Sequence, residues 1–269
     1  PHDTKTMTEE IYEKIRRLAG QPKVQAIGEI GLDFYYNHSD AEDQRYWFRR
    51  QIRLANELHM PIVIHAREAD QETMDILKEE GAFSEERCGW FPPRPGTGIG
   101  RKAGAQTTQK ASRAGEAGRA EACEAGRAEA CACTRTDLGA ARAEACEAGR
   151  AEACDCCMEK DARVLLHCFS GSRELAEQYV KLGATISIAG PVTYKNNRKT
   201  SEVVSAIPIE YLLVETDAPY LTPEPHRGKK NQSPYVAYTA RRVALLKGIS
   251  YEEAARRTLE NAKRFYGID

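Results

Sequence analysis

A chain of 269 residues with 41% hydrophobic side chains is long enough for one large α/β domain with its own core. Its formal net charge of −1 gives no global attraction to polyanions, so recognition of phosphate has to be local. No stretch approaches the ~20 apolar residues of a membrane-spanning helix, and no signal peptide is visible, so a cytoplasmic protein with no membrane partner is expected.

Thr6 with Glu9 three residues on is a capping-box pattern, Ile11, Ile15 and Leu18 follow at helical spacing, and Gly20 is the expected stop. Residues 23–29, KVQAIGE, read as an apolar strand ending at Glu29, with Ile30-Gly31-Leu32-Asp33 after it. Residues 41–59 carry Phe48, Ile52, Ala55 and Leu58 on one helical face. They lead into PIVIH, residues 61–65, a strand ending on His65. The spacing predicts a helix over 69–80 with Met74 and Leu77 in the core.

From residue 83 to about 160 the composition changes. Pro92-Pro93-Arg94-Pro95-Gly96 opens a Gly/Ala/Arg-rich tract in which EAGRAEAC occurs at 116–123, 124–131 and 147–154. Of the nine cysteines, all but Cys168 lie between 83 and 160. The pairs Cys131-x-Cys133 and Cys154-x-Cys156 lack the CxxC spacing of zinc sites. On a helix an eight-residue period drifts about 80° per repeat, so the thiols would not align. Residues 83–160 are therefore expected to be a disordered insertion, or translated repetitive DNA, between two parts of one discontinuous domain, 1–82 and 161–269.

Beyond it, RVLLH (163–167) is a strand ending on His167, Ser172 is placed to cap a helix through Leu182, and ATISIA (184–189) is another strand. Residues 211–220, YLLVETDAPY, run an apolar strand into Glu215 and Asp217, which share a face by strand alternation. Ser250 with Glu253 starts a last helix. Strands alternating with helices of this length predict βαβ units and a parallel sheet. Four strands finish on Glu29, His65, His167 and Asp217. If they lie parallel in a (β/α) barrel, these groups meet at the C-terminal face as a mixed N/O set for a divalent metal.

AIGEIGLDFYY, PIVIHAR, LLHCFSG, LLVETDAPYL and PEPHRGKKN together resemble the TatD family of metal-dependent deoxyribonucleases, which are TIM-barrel metallohydrolases. The resemblance covers residues 1–82 and 161–269 in the family's order. It implies that Glu29, His65, His167 and Asp217 ligate metal, with Glu29 bridging two ions and Asp217 also accepting the proton of the attacking water. It implies too that His2, His226 and Arg227 flank the substrate cleft, and the basic Arg67, Arg227 and Lys229, clustered around strand ends or the following loop, are expected to face phosphate. The ions would be Mg²⁺ or Mn²⁺, with Zn²⁺ also admitted by the histidines. The family begins with a strand carrying His-x-His, which this chain does not have. By comparison with an eight-stranded barrel, roughly fifty to sixty residues and the first strands would stand outside it, leaving a TIM-type barrel incomplete at the N-terminus and a weakened metal pair. The expected activity of the complete enzyme is 3′-to-5′ cleavage of DNA at ends or single strands by a monomer. A metallohydrolase acting on another ester, such as aminoacyl-tRNA, and an inactive scaffold remain as alternatives.

Overall fold

The structure, a computed structural model, describes residues 1–95 and 158–268. It divides into two units, Pro1–Pro93 with Lys160–Asp269, and Arg94–Glu159. In chain order the first unit holds α1 (Glu9–Ala19), β1 (Ile27–Asp33), α2 (Ala41–Glu57), β2 (Ile62–Arg67), α3 (Asp70–Glu79) and α4 (Glu85–Gly89). In the second unit the described residues form a short antiparallel ladder, β3 (Arg94–Pro95) with β4 (Met158–Glu159). The first unit then resumes with β5 (Val164–Leu166), α5 (Arg173–Lys181), β6 (Thr185–Ile188), α6 (Arg198–Ala206), β7 (Leu212–Val214), α7 (Val236–Lys247) and α8 (Tyr251–Tyr266). The EAGRAEAC repeats and the cysteines from Cys123 to Cys157 lie outside the described residues.

The main sheet is wholly parallel, in the order β1-β2-β5-β6-β7. Its strands are Ile-, Leu- and Val-rich because helices cover them: Ile30, Leu32, Ile62, Ile64, Val164, Leu166, Ile186, Ile188 and Leu212 are all buried. The predicted α/β class and (β/α) wiring are thus observed. In-register pairing aligns Asp33 with Arg67, Ile64 with Leu166 and Ile188 with Val214, so the C-terminal ends of the strands open on one edge. The caps follow the local sequence. Ser172 Oγ accepts from Leu175 N and Ser250 Oγ from Glu253 N, and Gly248 and Gly267 close α7 and α8 in the left-handed conformation.

Three details differ from expectation. β1 does not stop at Glu29 but runs on to Asp33, which puts Glu29 and Asp33 on the same strand. The cap of α1 is Thr8, whose side chain accepts from Ile11 N, because the Thr6 hydroxyl already donates to Asp3 O within a 3-10 turn. The buried face of α1 is Tyr12 and Ala19, while Ile11 and Leu18 are exposed. Tyr12 wins that face because its ring packs against Trp47 and its hydroxyl reaches Arg50 O.

Residues 83–93 pack within the first unit through Arg87. Its guanidinium is fully buried and donates to Ala162 O, Asn56 Oδ1 and Met60 O, tying the entries of β2 and β5 together. Burial draws its pKa down to about 10. Substituting Arg87→Leu strands these three acceptors, at a cost of about 2–3 kcal/mol. Urea unfolding of the full chain measures this, and a variant as stable as the parent would show that the clamp contributes nothing.

Candidate metal centre at the strand ends

The site grows from one local pattern on β1. Gly31 pairs with His65 on β2 and Asp33 lies two residues further along the regular ladder, while Glu29 sits in a register irregularity between Ile27 and Ile30. Gly31 sits at φ +139°, and an added Cβ would lie 1.9 Å from His65 O, so only glycine lets the two strands approach here. The flanking carboxylates then take both nitrogens of one imidazole: Glu29 Oε1 is 3.2 Å from His65 Nδ1 and Asp33 Oδ2 is 2.9 Å from His65 Nε2. Both ring nitrogens of His65 are thus faced by carboxylate oxygens. The substitution Gly31→Ala is expected to cost about 3 kcal/mol by overpacking and left-handed strain. Thermal melting tests this, and an unchanged melting temperature would refute the close approach.

His167, just past β5, forms the second half. Its Nδ1 is 2.7 Å from Glu215 Oε2, and its Nε2 lies 3.2 Å from Glu29 Oε1 and 3.6 Å from Asp217 Oδ1. Burial alone would lower the pKa of this ring, but Asp217 and Glu215, with Glu29 behind them, raise it to about 10. Glu215 also accepts from Cys168 N at 2.7 Å. Burial works to raise the Glu215 pKa, yet its bonds to His167, Ser187 and Cys168 bring it below the usual carboxylate range. Asp217 adopts φ 54°, beyond the end of β7, which turns its carboxylate back to the ring that Glu215 already holds.

Asp33 and Glu215 were not among the predicted site residues, although they make the shortest contacts to the two imidazoles. Asp33 is 1% exposed, and burial opposes its charge. The Tyr36 N–H, His2 and His65 overcome that and hold it at about 2. His2 Nε2 is 2.9 Å from Asp33 Oδ2, the same oxygen that meets His65. His2, Asp33 and His65 thus form a compact group of three donors.

The other predicted residues stand around this cluster in different ways. Arg67, at the end of β2, lies over the rings of Tyr35 and Tyr36. His226 stacks on Tyr235 at 4.3 Å and shares a 2.9 Å hydrogen bond with the Tyr238 hydroxyl, so it is engaged with the start of α7. Arg227 lies over Tyr194, and Lys229 is exposed with its backbone N–H donating to His226 O. None of these three contacts the imidazole–carboxylate cluster among the described residues. Their loop is nevertheless rooted beside it: the Asn231 amide donates to Thr216 O at 2.7 Å and also to Tyr220 O, and Asn231 N donates to Pro219 O.

A parallel α/β sheet with imidazoles and carboxylates gathered at the strand ends defines a barrel-type site with mixed N/O donors. A family profile described as "TatD related DNase" matches residues 1–88 and 143–267, and the chain belongs to this TatD family. It is 35% identical over 269 residues to an uncharacterized metal-dependent hydrolase, YabD, of Bacillus subtilis, covering 100% of this chain and 75% of that protein. It is 29% identical over 273 residues to a protein named 3′-5′ ssDNA/RNA exonuclease TatD from Erwinia amylovora, covering 100% of this chain and 76% of the other. The crystal structure of YJJV, a TatD homolog from Escherichia coli K12, superposes with a TM-score of 0.63 at 20% identity, over 98% of this chain and 73% of that one. No described helix is long and apolar enough to cross a membrane.

Proposed function

We propose that this chain is a metal-dependent hydrolase that cleaves phosphodiester bonds in single-stranded DNA or at DNA ends, in the 3′-to-5′ direction. The observation that carries this reading is Glu29 Oε1 lying 3.2 Å from both His65 Nδ1 and His167 Nε2, with Asp217 on the same His167 nitrogen. Pairwise separations of this size suit adjacent donors to divalent metal with bonds of about 2.0–2.2 Å, and His2, Asp33 and His65 form the mutually close donor group beside them. The donor chemistry also fits, since four carboxylates, Glu29, Asp33, Glu215 and Asp217, press on two imidazoles, a concentration of negative charge that a cation would balance. Glu29, His65, His167 and Asp217 would hold divalent metal, with His2 and Asp33 extending the cluster on the His65 side. The YabD and TatD names are consistent with both the metal and the nucleic-acid substrate.

When bound, a divalent ion supplies positive charge opposite the phosphoryl oxygens and makes a bound water acidic. The rest is done by the chain. Asp217 takes the proton of the attacking water at its carboxylate, which is 30% exposed and so within reach of solvent. Glu215 grips His167 Nδ1 and thereby aims Nε2 at Glu29 and Asp217. Arg67 makes no ion pair with a carboxylate among the described residues, which leaves its N–H groups for a phosphate.

Incubating the chain with Mn²⁺ or Mg²⁺, a single-stranded oligonucleotide, a duplex and an aminoacyl ester tests the assignment. Metal-dependent shortening of the single strand, abolished by EDTA, is expected. Hydrolysis of the aminoacyl ester with no cleavage of DNA would overturn the substrate assignment.

A further inference from the structure

Beside the metal cluster, the turn after β1 presents two tyrosines to solvent. Tyr35 is 55% exposed and Tyr36 50%, whereas most large hydrophobic side chains of the sheet are buried. They stand edge to face, with centroids 4.9 Å apart at 81°. Tyr36 is fixed from several sides: His38 stacks parallel to it at 5.3 Å, Arg67 lies 4.4 Å from its centroid, and its backbone N–H donates to Asp33 Oδ1 at 2.8 Å. Arg67 also lies 4.3 Å from the centroid of Tyr35. The guanidinium therefore backs both rings while keeping its hydrogen-bonding edges free of carboxylates among the described residues. Two exposed rings ordered by a cation, and joined by one hydrogen bond to a residue of the metal cluster, are not packing against any core.

We infer that Tyr35, supported by Tyr36 and Arg67, is a stacking platform for an unpaired nucleobase next to the scissile phosphate. The inference rests on the reading of the site as a nuclease and deepens it by supplying what selects single strands. A base has a π-face for Tyr35 only when it is not stacked within a duplex, and the phosphate following that base then falls to the Arg67 N–H groups. The chain's net charge of −1 makes such a contact necessary, because overall charge contributes no hold on the strand. Arg67 so has two tasks: one face orders the tyrosines and its edges meet the phosphate.

The test separates bases from charge. Binding of fluorescent octathymidylate, and of an abasic strand of the same length and phosphate count, is read by anisotropy with the full chain in Ca²⁺, so that turnover is not needed. The parent protein should bind the thymidylate roughly tenfold tighter than the abasic strand, the size expected of base–aromatic stacking. Tyr35→Ala should bind both strands with the weaker constant, while Tyr35→Trp should keep the preference. A merely structural role for Tyr35 would weaken both strands equally and leave their ratio unchanged, which would overturn the platform. Equal affinities for the two strands in the parent protein, or no binding of either, would overturn it as well. Mn²⁺-dependent cleavage of the thymidylate, measured separately on the same samples, decides whether the nuclease reading itself stands.

Discussion

Asp217→Asn is expected to lower kcat on single-stranded DNA by about a thousandfold with KM little changed, within the range for removal of a general base. The substitution is clean. Asp217 sits at φ 54°, a conformation that asparagine accepts as readily as aspartate, so the backbone is kept. The amide keeps the shape and an oxygen facing His167 but cannot take a proton. Glu215→Gln provides the contrast. It touches His167 at the nitrogen turned away from Asp217, so its loss disturbs the aim of the ring and is expected to weaken metal affinity about 10- to 100-fold. Saturating metal should restore Glu215→Gln and leave Asp217→Asn slow. Full recovery of Asp217→Asn by metal would show that it serves only as a ligand.

The second large effect is on stability against pH in the metal-free protein. His167 has its pKa raised from 6.5 to about 10 by Asp217, Glu215 and Glu29 against the pull of burial. A raised pKa gives stability that is complete below about 6.5 and is lost as the pH climbs through about 10. In EDTA the melting temperature should therefore fall steadily over that window. Each kcal/mol of such linkage moves the melting temperature by about 2–4 °C in a domain of this size, and a fall of about 5 °C or more is expected. With Mg²⁺ bound, the imidazole is held as a neutral ligand and the alkaline slope should flatten. The acid side is set by other groups. Asp33, lowered from 3.8 to about 2, adds stability above about 4 that is lost as the pH falls to about 2. Calorimetry from pH 6 to 10 with and without the ion is the measurement. Parallel slopes in the two conditions would mean that metal does not displace the proton of His167.

Where a feature depends on neighbours in sequence, it was legible. Ser172 and Ser250 announce α5 and α8, and the apolar runs leading to His65, His167 and Asp217 mark β2, β5 and β7, although β7 itself closes at Val214. The gathering of Glu29, His65, His167 and Asp217 follows once those strands are parallel. What escaped was which competing local option would win. At the N-terminus, Thr6 and Thr8 both precede α1, and the choice fell to Thr8 because Asp3 engaged the other hydroxyl. Asp33 escaped because KVQAIGE was read as ending at Glu29. The strand continues through Gly31 to Asp33, and an irregularity between Ile27 and Ile30, which no alternation pattern shows, brings Glu29 to the same imidazole. Glu215 was visible by strand alternation next to Asp217, but its partner His167 lies 48 residues earlier in the numbering, and only the fold makes them meet. Arg87 had no local signal, since its acceptors are the Met60 and Ala162 carbonyls at the entries of β2 and β5 and the Asn56 side chain on α2.

The amide of Asn231 has a mechanical consequence. By holding Thr216 O and Tyr220 O at once, it welds the far end of the 220–231 loop to the peptide that carries Asp217. The loop and the peptide of Asp217 thus share one anchor point. On the proposed reading, a strand pressing on His226 or Arg227 would be felt as torque at Asp217, and lengthening the loop would tilt Asp217 along with it. Specificity and turnover would then not be tuned separately, and a loop graft that removes Asn231 would be expected to change both at a stroke.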